Sequence, residues 1–219
     1  MKGRFSWSYT RLRDWENCAR AYEWRHIKRN VEPETEDMRW GNAVHSALED
    51  RAKGVPLPGP MQQFEKYGGA IDKAKAAGMQ PAAETQYALT RELRKTEWMA
   101  PDVYVRAILD LTLVKDDHAL IVDWKTGKKR DDDTQLKLFA GFAFAMWPVQ
   151  TVETRYVWLK GAPPTIKWYA REDSPWIWGD LLPRAERMEK GIELKQFDPK
   201  PSGLCGWCPV KTCEHNRKK

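Results

Sequence analysis

Asp110, Asp123 and Lys125 are the residues whose types and spacing could do chemistry. Asp110 sits in the alternating run DVYVRAILDLTLV. Asp123 and Lys125 close the apolar run of IVDWKTGKK, just ahead of a glycine turn. Residues two apart on a strand share a face, so Asp123 and Lys125 point the same way. If the two runs pair as a hairpin across KDDH, Asp110 approaches Asp123, with Cβ atoms about 5 Å apart when directly opposed. Two ionised carboxylates that close repel each other unless a cation sits between them. Their hard oxygens suit magnesium or manganese. An ammonium beside that cation can orient or help deprotonate a water, and can stabilise charge growing on a phosphate. Together they are equipment for phosphodiester hydrolysis. The bland alternative is a strand that simply ends at a solvated turn, so the surrounding elements decide between the two.

Those elements follow from periodicity. SWSYTRLRDWENCARAYEWRHI reads as one helix, with Leu12, Trp15, Ala19 and Tyr22 at three- and four-residue spacing and Ser8 as its N-cap. Cys18 falls within it, close to the apolar face. MRWGNAVHSALEDRAK is a second helix that carries Val44, Ala47, Leu48 and Ala52 on one side, ended by GVPLPGP. A third spans 61–78. From Ala82 the period changes to two, giving strands at AAETQYALT, DVYVRAILDLTLV and ALIVDWKT. DDDTQLKLFAGFAFAMW is a helix capped by one of its aspartates, with Leu136, Phe139, Phe142, Ala143 and Met146 as its buried stripe. TVETRYVWLKG and TIKWYA are further strands, and PWIWGDLLPRAERMEKGIEL is a helix with a proline interruption. The order implies an α/β (α+β) architecture, a central mixed sheet flanked by helices.

Asp110 followed after twelve residues by DWK, together with four motifs in order along the chain, resembles the PD-(D/E)XK nuclease superfamily, and more narrowly the RecB-like nucleases, including CRISPR-associated and phage exonucleases. WGNAVHSALE is similar to that family's Gly-x-x-x-His helix, AILDL to the strand of the first aspartate, IVDWKTG to the strand of the second acid and lysine, and TQLKLFA to the Gln-Leu-x-x-Tyr-Ala helix. The resemblance covers residues 8–213. It implies a restriction-endonuclease-like core. It also implies that His45, Asp110, Asp123 and the Trp124 carbonyl are metal ligands, that Lys125 is catalytic, and that Gln135 lies beside it. Glu84 falls near a position where relatives carry a glutamate bordering the site. Phe139 stands where tyrosine is usual and Arg106 where glycine is usual, so the local chemistry departs from the pattern there. An imidazole among carboxylates shifts preference from Mg2+ towards Mn2+.

Cys205, Cys208 and Cys213 are spaced C-x2-C-x4-C, and Cys18 stands far away. With Cys18 they make four thiolates, enough for an iron–sulfur cluster. In iron–sulfur members of the RecB-like family a cysteine follows the N-terminal helix and a triplet closes the chain, which implies a 4Fe-4S cluster on these four. Such a clip would close a loop of nearly the whole chain and remove unfolded-state entropy. The other readings are Zn2+ on Cys205, Cys208, Cys213 and His215, or no metal at all.

Lys plus Arg number 37 against 31 Asp plus Glu, a net charge of +6 with a pI near 9.1. That balance suits a polyanionic partner, and twelve tryptophans suit stacking on unpaired bases. RFSWSYTRLRDW interleaves Arg4, Arg11 and Arg13 with rings, and Lys128, Lys129 and Arg130 follow the proposed catalytic lysine; Arg11, Arg13, Lys128 and Lys129 are therefore candidate DNA contacts. The closing NRKK is a basic tail. No run of 18 apolar residues exists and no apolar signal segment opens the chain, so a cytoplasmic location is expected, in a bacterial cell or a phage-infected host. The expected organisation is a nuclease domain over 1–197, including the helix with Cys18, and a Cys-rich tail over 198–219. The expected function is a divalent-metal-dependent deoxyribonuclease, an exonuclease rather than an endonuclease, on single-stranded or frayed DNA ends. The alternative is a non-catalytic zinc-containing module that binds single-stranded nucleic acid.

Overall fold

The computed structural model describes residues 5–217; Arg4, Lys218 and Lys219 of the basic termini lie outside them. In chain order the elements are α1 (Tyr9–Asn17), α2 (Ala19–Tyr22), a π turn (Glu23–Ile27), α3 (Glu36–Ala52), a 3-10 turn (Gly59–Phe64) and α4 (Glu65–Ala76). Then come β1 (Gln80–Leu89), β2 (Lys95–Thr96), β3 (Val105–Lys115), β4 (His118–Lys125), α5 (Thr134–Met146), β5 (Thr151–Trp158), β6 (Thr165–Ala170) and α6 (Ser174–Glu193). The chain forms two compact units, one from 5–34 with 179–217, the other Thr35–Trp178.

The Thr35–Trp178 unit holds a six-stranded sheet in the order β2-β1-β3-β4-β5-β6. Neighbours are antiparallel except β4 and β5, which α5 joins as a parallel crossover. This is the mixed sheet with flanking helices that the sequence pattern predicts. On one face α3 and α4 bring Val44, Leu48 and Ile71 onto Leu111, Leu113, Val122 and Trp124. Each such fully buried side chain contributes roughly 1.5–3 kcal/mol. On the other face Leu136 of α5 packs with Tyr156 and Trp158 of β5. α5 is apolar nearly all round because it is covered on both sides. Its Gly141 meets Trp178 so closely that an added Cβ would stand 2.8 Å from the indole.

One break in the sheet matters for function. The β3–β4 ladder stops at Leu111↔Val122. β3 goes on pairing with β1 as far as Val105↔Leu89, and β4 goes on pairing with β5 as far as Lys125↔Trp158. The sheet therefore forks where Asp110 and Asp123 would have been the next pair.

Several local readings change. The first helix is not continuous: Cys18 is extended (φ −170°, ψ 111°) and separates α1 from α2. Neither proline nor glycine stands at that break. Ser8 does cap α1, accepting from the Arg11 N–H at 3.4 Å. The 61–78 segment is divided into a 3-10 turn and α4. The aspartate that bonds the start of α5 is Asp132, which accepts from the Thr134 N–H at 3.0 Å. Met146 is only half-buried. α6 runs through Pro183 without the expected interruption, and β2 has no counterpart in the sequence reading.

Candidate active site

Forking a sheet leaves backbone donors without a ladder partner. At this fork the Trp124 N–H donates to Oδ2 of Asp110 at 2.8 Å, so the carboxylate takes the place of the missing strand. The same oxygen lies 3.3 Å from Nδ1 of His45 on α3. Gly41 stands one turn before His45 on the same helical face. A Cβ there would be 3.0 Å from Oγ1 of Thr126, so the glycine lets α3 approach the end of β4. That is the physical content of the Gly-x-x-x-His pattern in this chain.

Glu84 completes the group. By register it faces Asp110 across β1–β3, between the pairs Ala83↔Leu111 and Thr85↔Leu109. Its backbone is left-handed (φ 47°), a costly conformation for a residue inside a strand. Its Oε1 lies 3.9 Å from His45 Nδ1. One ligand atom each from His45, Glu84 and Asp110 lies within 4.8 Å of the others. The sequence placed Glu84 only at the border, because neither the β1–β3 register nor the φ value can be read from residue types.

Asp123 is buried next to this triad and is not part of it; its Oδ2 lies 2.6 Å from Nζ of Lys125. The same ammonium donates to Oε1 of Gln135, at the start of α5, at 2.8 Å. Burial, and then the neighbouring Asp110 charge, push the Asp123 carboxyl up to about 7 against the pull of Lys125 and His45. For His45, burial works to lower the pKa, but the bonds with Asp110 and Glu84 outweigh it and raise it to about 10. The two shifts describe a pocket overloaded with negative charge. Three carboxylates and one imidazole, crowded and partly desolvated, are the donor set for a hard or borderline divalent cation, so the residues present fit Mg2+ or Mn2+. Phe139, which stands where the family usually has tyrosine, is buried in α5. The phenol near Lys125 comes from Tyr156 on β5, whose ring centroid is 4.8 Å from Nζ. The sequence reading passed over Tyr156 because only the parallel β4–β5 register brings it there.

The sequence matches the PD-(D/E)XK nuclease superfamily over residues 6–213. The chain belongs to that superfamily. Membership implies a metal-dependent nuclease, and the forked mixed sheet with its flanking helices is consistent with the superfamily's restriction-endonuclease-like fold. This nuclease is 29% identical over 113 residues to Gene 69 protein of Mycobacterium phage D29, a stretch that makes up 49% of this chain and 41% of that protein. The match thus spans about two fifths of the curated relative's length. The crystal structure of SSO0001 aligns with 99% of this chain and 89% of that one, with a TM-score of 0.50 at 13% identity, a likeness of fold alone.

The remaining candidate residues are placed as follows. Arg11 donates to the Ser6 carbonyl at 2.9 Å, and Arg13 pairs with Asp14 at 3.3 Å while lying over the Tyr9 ring. Lys129 reaches the Pro163 carbonyl at 3.3 Å, and Lys128 is exposed. All four cysteines carry free thiols and line one small cavity of the unit formed by 5–34 and 179–217. Cys18 Sγ accepts from the Lys200 N–H at 3.4 Å, and Cys205 Sγ from the Ser202 N–H at 3.3 Å. Among the described residues, no three of these sulfurs come within 4.8 Å of one another. No helix among those residues is long and apolar enough to cross a membrane.

Proposed function

We propose that the chain is a divalent-metal-dependent deoxyribonuclease of the RecB-like kind, acting as an exonuclease on single-stranded or frayed DNA ends. The observation that carries this reading is the meeting of His45, Glu84 and Asp110 beside the Lys125–Asp123 pair at the fork of the sheet. His45, Asp110, Asp123 and the Trp124 carbonyl would hold Mn2+ or Mg2+, with Glu84 as a further oxygen donor. A bound ion supplies Lewis-acid charge for the negative charge that builds on a phosphate in hydrolysis. Lys125 acts through Nζ: held by Asp123 and Gln135, it orients the attacking water and keeps a positive charge beside the scissile phosphate. Gln135 fixes that amine. Lys128, Lys129, Arg11 and Arg13 would contact the DNA backbone, so affinity should fall steeply with salt. We place its work in a phage-infected or bacterial cytoplasm, in DNA recombination, repair or a CRISPR-associated process; the match to a mycobacteriophage protein accords with the phage setting alone.

The test is cleavage of labelled single strands with manganese. Asp123→Ala and Lys125→Ala should each lose cleavage by at least about 100-fold while still retarding DNA on a gel. Cutting at the parental rate by either variant would overturn the site. Intact but retarded DNA with the parent protein would favour the binding module instead. Circular single strands decide the mode, because an exonuclease leaves them whole.

For the Cys-rich tail, 198–219, closing on the 1–197 domain, we propose that Cys18, Cys205, Cys208 and Cys213 hold a 4Fe-4S cluster. Their shared cavity and the N–H donors to two of the sulfurs support it. The spacing of the sulfurs adds no support. Thiolates on one zinc would stand about 3.8 Å apart, closer than any three do here. Brown protein with broad visible absorbance and about four irons per chain after anaerobic purification is expected. A colourless protein with stoichiometric zinc would reject the cluster.

A further inference from the structure

The Lys125 ammonium has three N–H donors. One is given to Gln135 Oε1 at 2.8 Å, and the Asp123 carboxylate holds the charge as an ion pair, Oδ2 lying 2.6 Å from Nζ. Its next neighbour is a ring face, Tyr156, at 4.8 Å from centroid to Nζ. That contact is built into the sheet. Tyr156 is the parallel partner of Asp123 in the β4–β5 ladder, so both side chains and that of Lys125 lie on one face. The ring is 2% exposed. It is pinned edge-on by Trp158, with centroids 5.6 Å apart, and packed by Leu136 from α5. A buried ring within about 6 Å attracts a cation through its quadrupole, more strongly when water is excluded. A second carboxylate on the ammonium in that place would bind it as tightly as Asp123 does and draw its donors away from a substrate. A ring face holds the charge without taking a strong hydrogen bond.

We infer that Tyr156 is a positioning residue for the nuclease reaction, its ring face holding the Lys125 ammonium in the pose from which it acts. The inference rests on the reading of Lys125 as the working cation of the site. It assigns the effect to the ring's electrons rather than to the hydroxyl or to the filled volume. Tyr156→Phe should therefore recover most of the parental turnover, within about twofold, and Tyr156→Leu should lose about tenfold in kcat with KM unchanged.

The deciding experiment replaces Tyr156 with phenylalanine and its mono-, di- and pentafluorinated analogues, which keep shape while draining the ring face. Turnover, KM, the manganese midpoint and thermal stability are read on each, with Lys125→Ala as control. The expected result is a stepwise fall in kcat with fluorination, about tenfold at the last member, with the other three readouts flat. A kcat equal across the series, with Lys125→Ala inactive, overturns the ring's role and leaves the reading of Lys125 intact. An active Lys125→Ala overturns that reading, and the inference with it. Should Tyr156→Leu fail to fold, the fluorinated series decides alone.

Discussion

Asp123 is a carboxylate that needs either a proton or a cation. Without metal, burial and Asp110 hold its pKa at about 7 against 3.8 for the unfolded chain. A group raised in this way contributes stability that is complete below 3.8 and lost as pH rises through about 7. His45, raised from 6.5 to about 10, contributes stability that is lost between those two values. Both terms have the same sign. The melting temperature of chelator-treated protein should therefore fall from about pH 5 to about pH 9, and Asp123→Asn should flatten the lower part of that slope. A melting temperature that rises over this range would contradict the electrostatic account. Manganese competes with protons for the same atoms, so its stabilising effect should grow as pH rises. At this scale much was legible in the sequence. Asp110, Asp123 and Lys125 are singled out by type and spacing, and His45 and Gln135 by the family resemblance; the structure sets His45 against Asp110, and Lys125 between Asp123 and Gln135. Tyr156 was hidden because its place depends on the β4–β5 register, and Glu84 was reached only at the border, through the resemblance, because its place depends on the β1–β3 register and on one left-handed backbone angle.

At the level of elements, α3, the fork and α5 set the geometry. Periodicity finds α3, β3, β4 and α5, and Val44, Ala47, Leu48 and Ala52 are buried as their spacing predicts. The fork is not in the pattern, because β3 and β4 both continue past it as good strands with other partners. The break at Cys18 is not legible either: ENCARAY holds no proline or glycine, yet Cys18 is extended. Gly41 is where an element-scale change should reach the chemistry. Gly41→Val would put branched carbon against Thr126, pushing α3 away from β4 and widening the 3.3 Å His45–Asp110 contact. The expected outcome is weaker manganese binding and at least about tenfold lower turnover, because misplacement by about 1 Å is costly at a catalytic centre. The loss in overall stability should be only about 1–3 kcal/mol. Parental manganese affinity in this variant would show that the close approach of α3 to β4 is not needed.

For the molecule as a whole, the fold class could be read from the sequence because helices and strands alternate in an order that only a mixed, helix-flanked sheet accommodates. The division into two units could not be read. The segments 5–34 and 179–217 are far apart in sequence, and no linker composition marks them. On the proposed reading, the fork of the sheet in the Thr35–Trp178 unit is a divalent-ion centre. Its most direct test is a crystal soaked in manganese, with data collected for the anomalous signal of the metal. The account expects one strong anomalous peak bounded by His45, Glu84, Asp110 and Asp123, lost in Asp110→Ala. A map with no peak at that pocket, or with manganese bound elsewhere while the protein cleaves DNA, would contradict it.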